Sequence, residues 1–138
     1  MPEKIKVALV GLGNCFSGLI QGIEYYSKNP SQKVTGIIHE NLRDYTIHDI
    51  EFVAGFDVGA NKIGKPINEA IYESPNMVDW IDKNDMPAAN GNVYESPALD
   101  GVGIWVENKV KPIESGKSES ELREEIIKVL EETGTEII

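Results

Sequence analysis

The stretch Val7-Ala8-Leu9-Val10-Gly11-Leu12-Gly13-Asn14-Cys15-Phe16-Ser17 has residue types in an order that suits phosphate chemistry. An apolar, β-branched run enters a Gly-x-Gly turn, and a helix-like stretch opens from it. Gly11 permits the tight turn, and Gly13 has no side chain to hold a pyrophosphate away from the backbone. The N–H groups around Asn14 to Ser17, at the positive end of a helix dipole, suit an anion. A full Gly-x-Gly-x-x-Gly would place glycine at 16, where this chain has Phe16, and Gly18 comes two residues late. The third glycine chiefly allows close helix–sheet packing, so its loss bears on helix placement more than on phosphate contact. The motif alone leaves two readings, a dinucleotide site and a plain strand–helix turn; its place between strand and helix favours the first.

Asp57 closes a second apolar strand, Ile50-Glu51-Phe52-Val53-Ala54-Gly55-Phe56. A carboxylate there can accept two ribose hydroxyls and would repel a 2′-phosphate, which favours NAD over NADP. The usual spacing from the glycines is about 20 residues. Here it is far longer, so residues 27–49 are expected to be an excursion before the second strand. The alternative is an ordinary turn aspartate.

Other chemistry-bearing residues carry less. His39 and His48, with Glu40, Asp44 and Asp49, match no tight metal-ligand spacing, and a solvated loop is the preferred reading. Cys15 at a helix start could have an activated thiol, but no histidine follows to act as its base. Packing or backbone contact near a cofactor fits it better. Trp80 and Trp105 are expected in the core or an interface, and the glutamates near residues 121–132 on a solvated helix face.

The elements that must position these groups alternate. Ile5 to Val10 reads as a strand buried on both faces, and a helix follows from Asn14 until Asn29-Pro30 ends it. Residues 34–38 fit a short strand or part of the excursion, and 40–48 a loop. Asn61 to Tyr72 reads as a helix with Pro66 in its first turns or splitting it. Ser74 to Gly91 is irregular, Asn92 to Glu95 a third strand, and Ile104 to Ile113 either a short helix or extended. Ser118 to Thr133 is the clearest helix. Ser118 or Ser120 can cap it, Glu121 or Glu124 can bond back, Leu122, Ile126, Val129 and Leu130 form its apolar stripe, and Gly134 stops it. Glu136-Ile137-Ile138 opens another strand. This alternation predicts an α/β fold, a parallel sheet with helices on its faces.

With 138 residues, 41% of them hydrophobic and 26% charged, the chain suits one globular domain. A formal net charge of -10 repels phosphate backbones and anionic headgroups, so neither nucleic acid nor a membrane is expected as a partner. Backbone N–H groups must therefore hold any anion. The single cysteine fits a reducing compartment, and the N-terminus lacks signal-peptide architecture, so the expected location is cytoplasmic.

Four stretches together resemble the myo-inositol-1-phosphate synthases (inositol-3-phosphate synthases) of the archaeal and actinobacterial type. They are Val10-Gly11-Leu12-Gly13-Asn14-Cys15 with Leu19 to Tyr26; Gly36 to His39 followed by Tyr45; Asp49 to Ala54 with Phe56-Asp57-Val58 and Lys62-Ile63-Gly64-Lys65; and Ser74-Pro75-Asn76 with Pro97 to Gly103. The resemblance spans nearly the whole chain in order. It implies a Rossmann-like NAD-binding domain over residues 1–138 and accounts for the excursion. It also implies that Gly11, Gly13, Asn14 and Cys15 lie along the pyrophosphate, with Phe16 beside them. Asp57 and Val58 would meet the adenosine ribose, and Asn76 would sit near the cofactor. Such proteins are isomerases of inositol and phospholipid biosynthesis that convert glucose 6-phosphate to inositol 1-phosphate with NAD used catalytically.

The sequence departs from the family pattern at Phe16, where a small residue is usual, and at Asn76-Met77-Val78, where Asn-Asn-Thr is common. The family continues well beyond the position of Ile138, and its catalytic lysines and aspartates lie there. No catalytic residue is assigned in this chain. The expectation is a fragment with a sheet incomplete at the C-terminus, marginal in isolation, that works in a homo-oligomer or with a complementing chain. A stand-alone NAD-binding or regulatory module is the alternative. A small dehydrogenase is disfavoured, because no His–Asp or Tyr–Lys arrangement stands out.

Overall fold

A computed structural model describes residues 3–29 and 36–138. Its centre is a three-stranded parallel sheet of β1 (Ile5–Val10), β4 (Ile50–Asp57) and β5 (Asn92–Glu95), in the order β1-β4-β5. Beyond β1, Ile137 forms a parallel bridge with Val7, and Ala8 donates its N–H to the Ile137 carbonyl at 2.9 Å. The C-terminal residues thus take the next place in the sheet. Outward from the sheet's centre line, successive strands run to one side and the last returns to the other, the arrangement of a mononucleotide-binding half.

Helices cover both faces, as the sequence predicts for an α/β chain. On one face Leu9, Leu12, Ile20, Ile67, Ala70, Ile71 and Val93 form a buried cluster beneath α1 (Asn14–Lys28) and the single turn α2 (Ile67–Ala70). On the other, Ala8, Ala54, Phe56 and Val129 pack beneath α3 (Glu119–Thr133). Alternation along β1 and β4 sends neighbouring side chains to opposite clusters. Each fully buried Leu, Ile or Val contributes about 2 kcal/mol. Burial of β1 is confined to its middle: Lys6 and Val10 are exposed.

The α3 boundaries follow the sequence signals. Ser118 caps the helix and accepts the Glu121 N–H, while Glu121 accepts the Ser118 N–H. Gly134 ends it in the left-handed region at φ 64°.

The second predicted helix needs correction, because only Ile67–Ala70 of the 61–72 stretch is α-helical. Gly64 donates to the Val93 carbonyl, Val93 donates to the Lys65 carbonyl, and Pro66 bridges Asn92. Those bonds to β5 compete with helix formation before Pro66, which then serves as the helix cap. Residues 59–64 form turns instead.

The stretch between α1 and β4 contains a small hairpin, β2 (Asn41–Leu42) with β3 (Tyr45–Thr46), and a 3-10 turn over Ile47–Asp49. Of the expected 34–38 strand, residues 34 and 35 lie outside the described residues. Trp80 and Trp105 are not core residues: they are 70% and 89% exposed.

Candidate functional site

The parallel register decides where the site forms. Val10 pairs with Phe56, and Gly11 donates its N–H to the Phe56 carbonyl at 2.7 Å. The next residue on β4 is Asp57, so strand pairing sets it beside the Gly11–Gly13 bend despite the long chain between them. Gly11 takes φ 81°, where a side chain is strained. Leu12 points inward and is fully buried, while Gly11, Gly13, Asn14 and Cys15 face solvent.

Space in front of the bend is open: a β-carbon at Gly11 or at Gly13 would meet no protein atom within 4 Å. Gly13 caps α1 without any side-chain hydrogen bond, and no acidic residue stands in the first helical turn. The first helical bond runs from the Ser17 N–H to the Gly13 carbonyl at 3.0 Å. The N–H groups of Asn14, Cys15 and Phe16 lie ahead of it, at the positive end of a 15-residue helix. The ring of Phe16 packs against the apolar cluster under α1. It therefore takes up the helix–sheet packing that a glycine at 16 would otherwise permit.

Asp57 is 9% exposed. Its Oδ2 accepts the Leu12 N–H at 2.8 Å, and its Oδ1 accepts the Gly59 N–H at 2.8 Å. Lys62, itself 5% exposed, sets its Nζ 3.9 Å from Asp57 Oδ2. The ammonium donates to the Leu12 carbonyl at 2.6 Å and to Asn76 Oδ1 at 3.2 Å. Asn76 Nδ2 in turn donates to the carbonyls of Leu12 and Ile71 at 2.8 and 2.9 Å. Asn14 Oδ1 accepts the Met77 N–H at 2.7 Å. Burial pushes the Lys62 ammonium below its ordinary value, against the attraction of Asp57 and Glu73.

Thus Gly11, Gly13, Asn14, Asp57 and Asn76 come together. The amide of Asn76 is spent on the protein's own backbone and on Lys62, and Asn14 also ties down the 76–78 segment. Deeper in α1, Gln21 is fully buried and extends this stitching. Its Nε2 donates to Ser17 Oγ and the Val78 carbonyl, and its Oε1 accepts the Ile81 N–H. Sequence reasoning missed Lys62 and Gln21. The one available signal was a lysine in the turn-forming stretch just after a strand-end aspartate.

Val58 lies at the edge of a neighbouring cavity of about 390 Å³, which Ala98, Leu99, Pro112, Ile113 and Leu122 also line, with Glu95 and Lys117 at its polar side. His48 belongs to the turn that precedes β4, at the other end of that strand from Asp57. His48 Nδ1 pairs with Ser27 Oγ at 3.0 Å, and Asp49 accepts the Thr46 N–H and hydroxyl within its own turn. Among the described residues no group of three or more His, Cys, Asp or Glu is placed to hold a metal ion. Nor is any helix among them long and apolar enough to cross a membrane.

No family model matches the chain. Over 100 residues it is 46% identical to the inositol-3-phosphate synthase of Corynebacterium glutamicum, an alignment covering 72% of this chain and 27% of that protein. Over 136 residues it is 35% identical to the inositol-3-phosphate synthase of Mycolicibacterium smegmatis, covering 98% of this chain and 35% of that protein. The chain therefore spans about a third or less of these curated relatives. Among solved structures it is similar to Ari2, with a TM-score of 0.73 and 25% identity over 98% of this chain and 38% of that one. It shares its fold with a myo-inositol-1-phosphate synthase-related protein from Thermotoga maritima, with a TM-score of 0.67 and 21% identity over 98% of this chain and 34% of that one.

Proposed function

This chain belongs to the inositol-3-phosphate synthase family, and on that premise we propose that it binds NAD at the Gly11–Gly13 bend. The supporting observation is the open, uncapped start of α1, where a β-carbon at either bend glycine would meet nothing. Gly13 leaves a bare surface at the start of the helix, next to the free N–H groups of its first turn. That surface has room for a diphosphate.

The residues fit the group. N–H donors of Asn14, Cys15 and Phe16 meet the diphosphate at the end of the helix dipole. The carboxylate of Asp57 has one hydrogen bond on each oxygen, which leaves a lone-pair site on each for the adenosine ribose hydroxyls. The cavity beside Val58 has a mixed lining, in which Val58, Leu99 and Ile113 offer apolar contacts for the adenine beside the polar Glu95 and Ser96. Bound NAD supplies a reversible hydride acceptor. The reaction proposed for the whole protein is isomerisation of glucose 6-phosphate to inositol 1-phosphate, with NAD regenerated in each turnover.

Tryptophan fluorescence offers a direct test, because the Trp80 ring lies over Gly18 near the start of α1. Titration with NAD should give saturable quenching, weaker with NADP because the 2′-phosphate meets Asp57. A folded chain that does not respond to millimolar NAD by fluorescence or calorimetry would overturn the reading.

A further inference from the structure

We propose that Lys62 is a positioning residue that sets the N–H groups following the bend, those of Asn14 to Phe16, for the diphosphate, acting through the peptide of Leu12. Both ends of that residue's backbone are held by side chains. Asp57 Oδ2 takes the Leu12 N–H, and the Leu12 carbonyl receives both Lys62 Nζ at 2.6 Å and Asn76 Nδ2 at 2.8 Å. Lys62 also reaches Asn76 Oδ1 and lies 3.9 Å from Asp57 Oδ2. Its single ammonium therefore links three segments: the bend, the end of β4 and the stretch after α2.

The two glycines lend this turn no side-chain anchor, so the buried Leu12 side chain is the one its own residues supply. Gly11 and Gly13 give access to the phosphate at the cost of conformational freedom, and rotation of either would redirect the N–H groups that follow. Pinning the carbonyl and the N–H of the residue between them removes that freedom before ligand arrives. Lysine suits the task because its ammonium has three donors and no other cation lies within ion-pair distance of the buried Asp57 carboxylate among the described residues. On a chain of net charge -10 it also places a positive charge beneath the anion site, where salt screens it little. The turn that carries Lys62 is itself held: Lys62 N–H donates to the Gly59 carbonyl, and Gly59 N–H donates to Asp57.

The proposal rests on the bend being the diphosphate site. ADP-ribose, which carries a diphosphate, and adenosine, which does not, are titrated into the full chain and into Lys62→Met. The expected result is a loss of tenfold or more in ADP-ribose affinity with adenosine affinity changed less than twofold, and faster hydrogen exchange at the Leu12 N–H. A merely structural lysine would weaken both ligands alike. ADP-ribose binding within twofold of the original, in a variant that remains folded, overturns the proposal. Should Lys62→Met fail to fold, Asn76→Ser removes the second donor to the same carbonyl. It should cost ADP-ribose about threefold, and no change would overturn the positioning role. Failure of the original chain to bind ADP-ribose would sink the diphosphate reading. Unchanged Leu12 exchange in a folded Lys62→Met would sink the clamp by itself.

Discussion

A β-carbon at Gly55 would lie 2.8 Å from Cδ1 and 3.2 Å from Cδ2 of Leu12, so the central strand makes room for the residue at the heart of the bend. Leu12 is fully buried and cannot swing into solvent. Gly55→Ala should therefore overpack this contact and destabilise the chain by about 1–3 kcal/mol. Because Leu12 carries the bend with it, NAD affinity should fall as well. Urea unfolding and NAD titration check both; an unchanged affinity would show that the bend tolerates displacement of Leu12.

Gly13→Ala separates binding from folding. Gly13 has an ordinary φ of -84°, and its added methyl meets no protein atom. The stability loss should stay below about 1 kcal/mol, the difference between glycine and alanine at a helix cap. The methyl would nevertheless occupy the space assigned to the diphosphate. NAD affinity should drop by about tenfold, equivalent to about 1.4 kcal/mol. Gly11→Ala should instead cost about 1–2 kcal/mol in folding, because φ is positive there.

Asp57→Asn should harm fold and site together. The amide would leave the Lys62 ammonium buried without its anion, at about 3 kcal/mol. It would also exchange a charged acceptor of the Leu12 N–H for a weaker neutral one. The preference for NAD over NADP should narrow at the same time. Chemical denaturation and parallel titrations with both dinucleotides measure these effects. Retention of full stability would mean that Lys62 is not held by Asp57.

Acid should loosen α3 through its cap. Glu121 accepts the Ser118 N–H and hydroxyl, which holds its carboxyl below the ordinary value of 4.5. A carboxyl whose pKa falls on folding adds stability that is complete above the unfolded value and is lost as pH drops through the folded one. The helix should therefore weaken on acidification below that value. Glu121→Gln should flatten this part of the stability–pH curve, read by circular dichroism during urea titration.

Local patterns made much of this protein legible. The strand–bend–helix of residues 5–28, the cap and stop of α3, and the strands ending at Asp57 and Glu95 all follow from near-neighbour preferences: apolar alternation, glycine at a turn, Ser118 three residues before Glu121. The failures were equally physical. Residues 61–66 have a helical pattern, but the backbone of Gly64, Lys65 and Pro66 pairs with β5, a partner that no local window contains. For both tryptophans the core half of the core-or-interface expectation failed, since they carry a core-like residue type and lie on the surface.

By itself the sequence determined that a bare bend would open a helix after the first strand and that a carboxylate would end the second. Only the tertiary structure decided what that carboxylate touches. Parallel pairing of Val10 with Phe56 brings Asp57 to the bend, and the turn after it folds Lys62 back under Leu12. A charge can stay buried only where partners from distant segments converge on it, and such convergence is a property of the packed chain rather than of any one stretch of it.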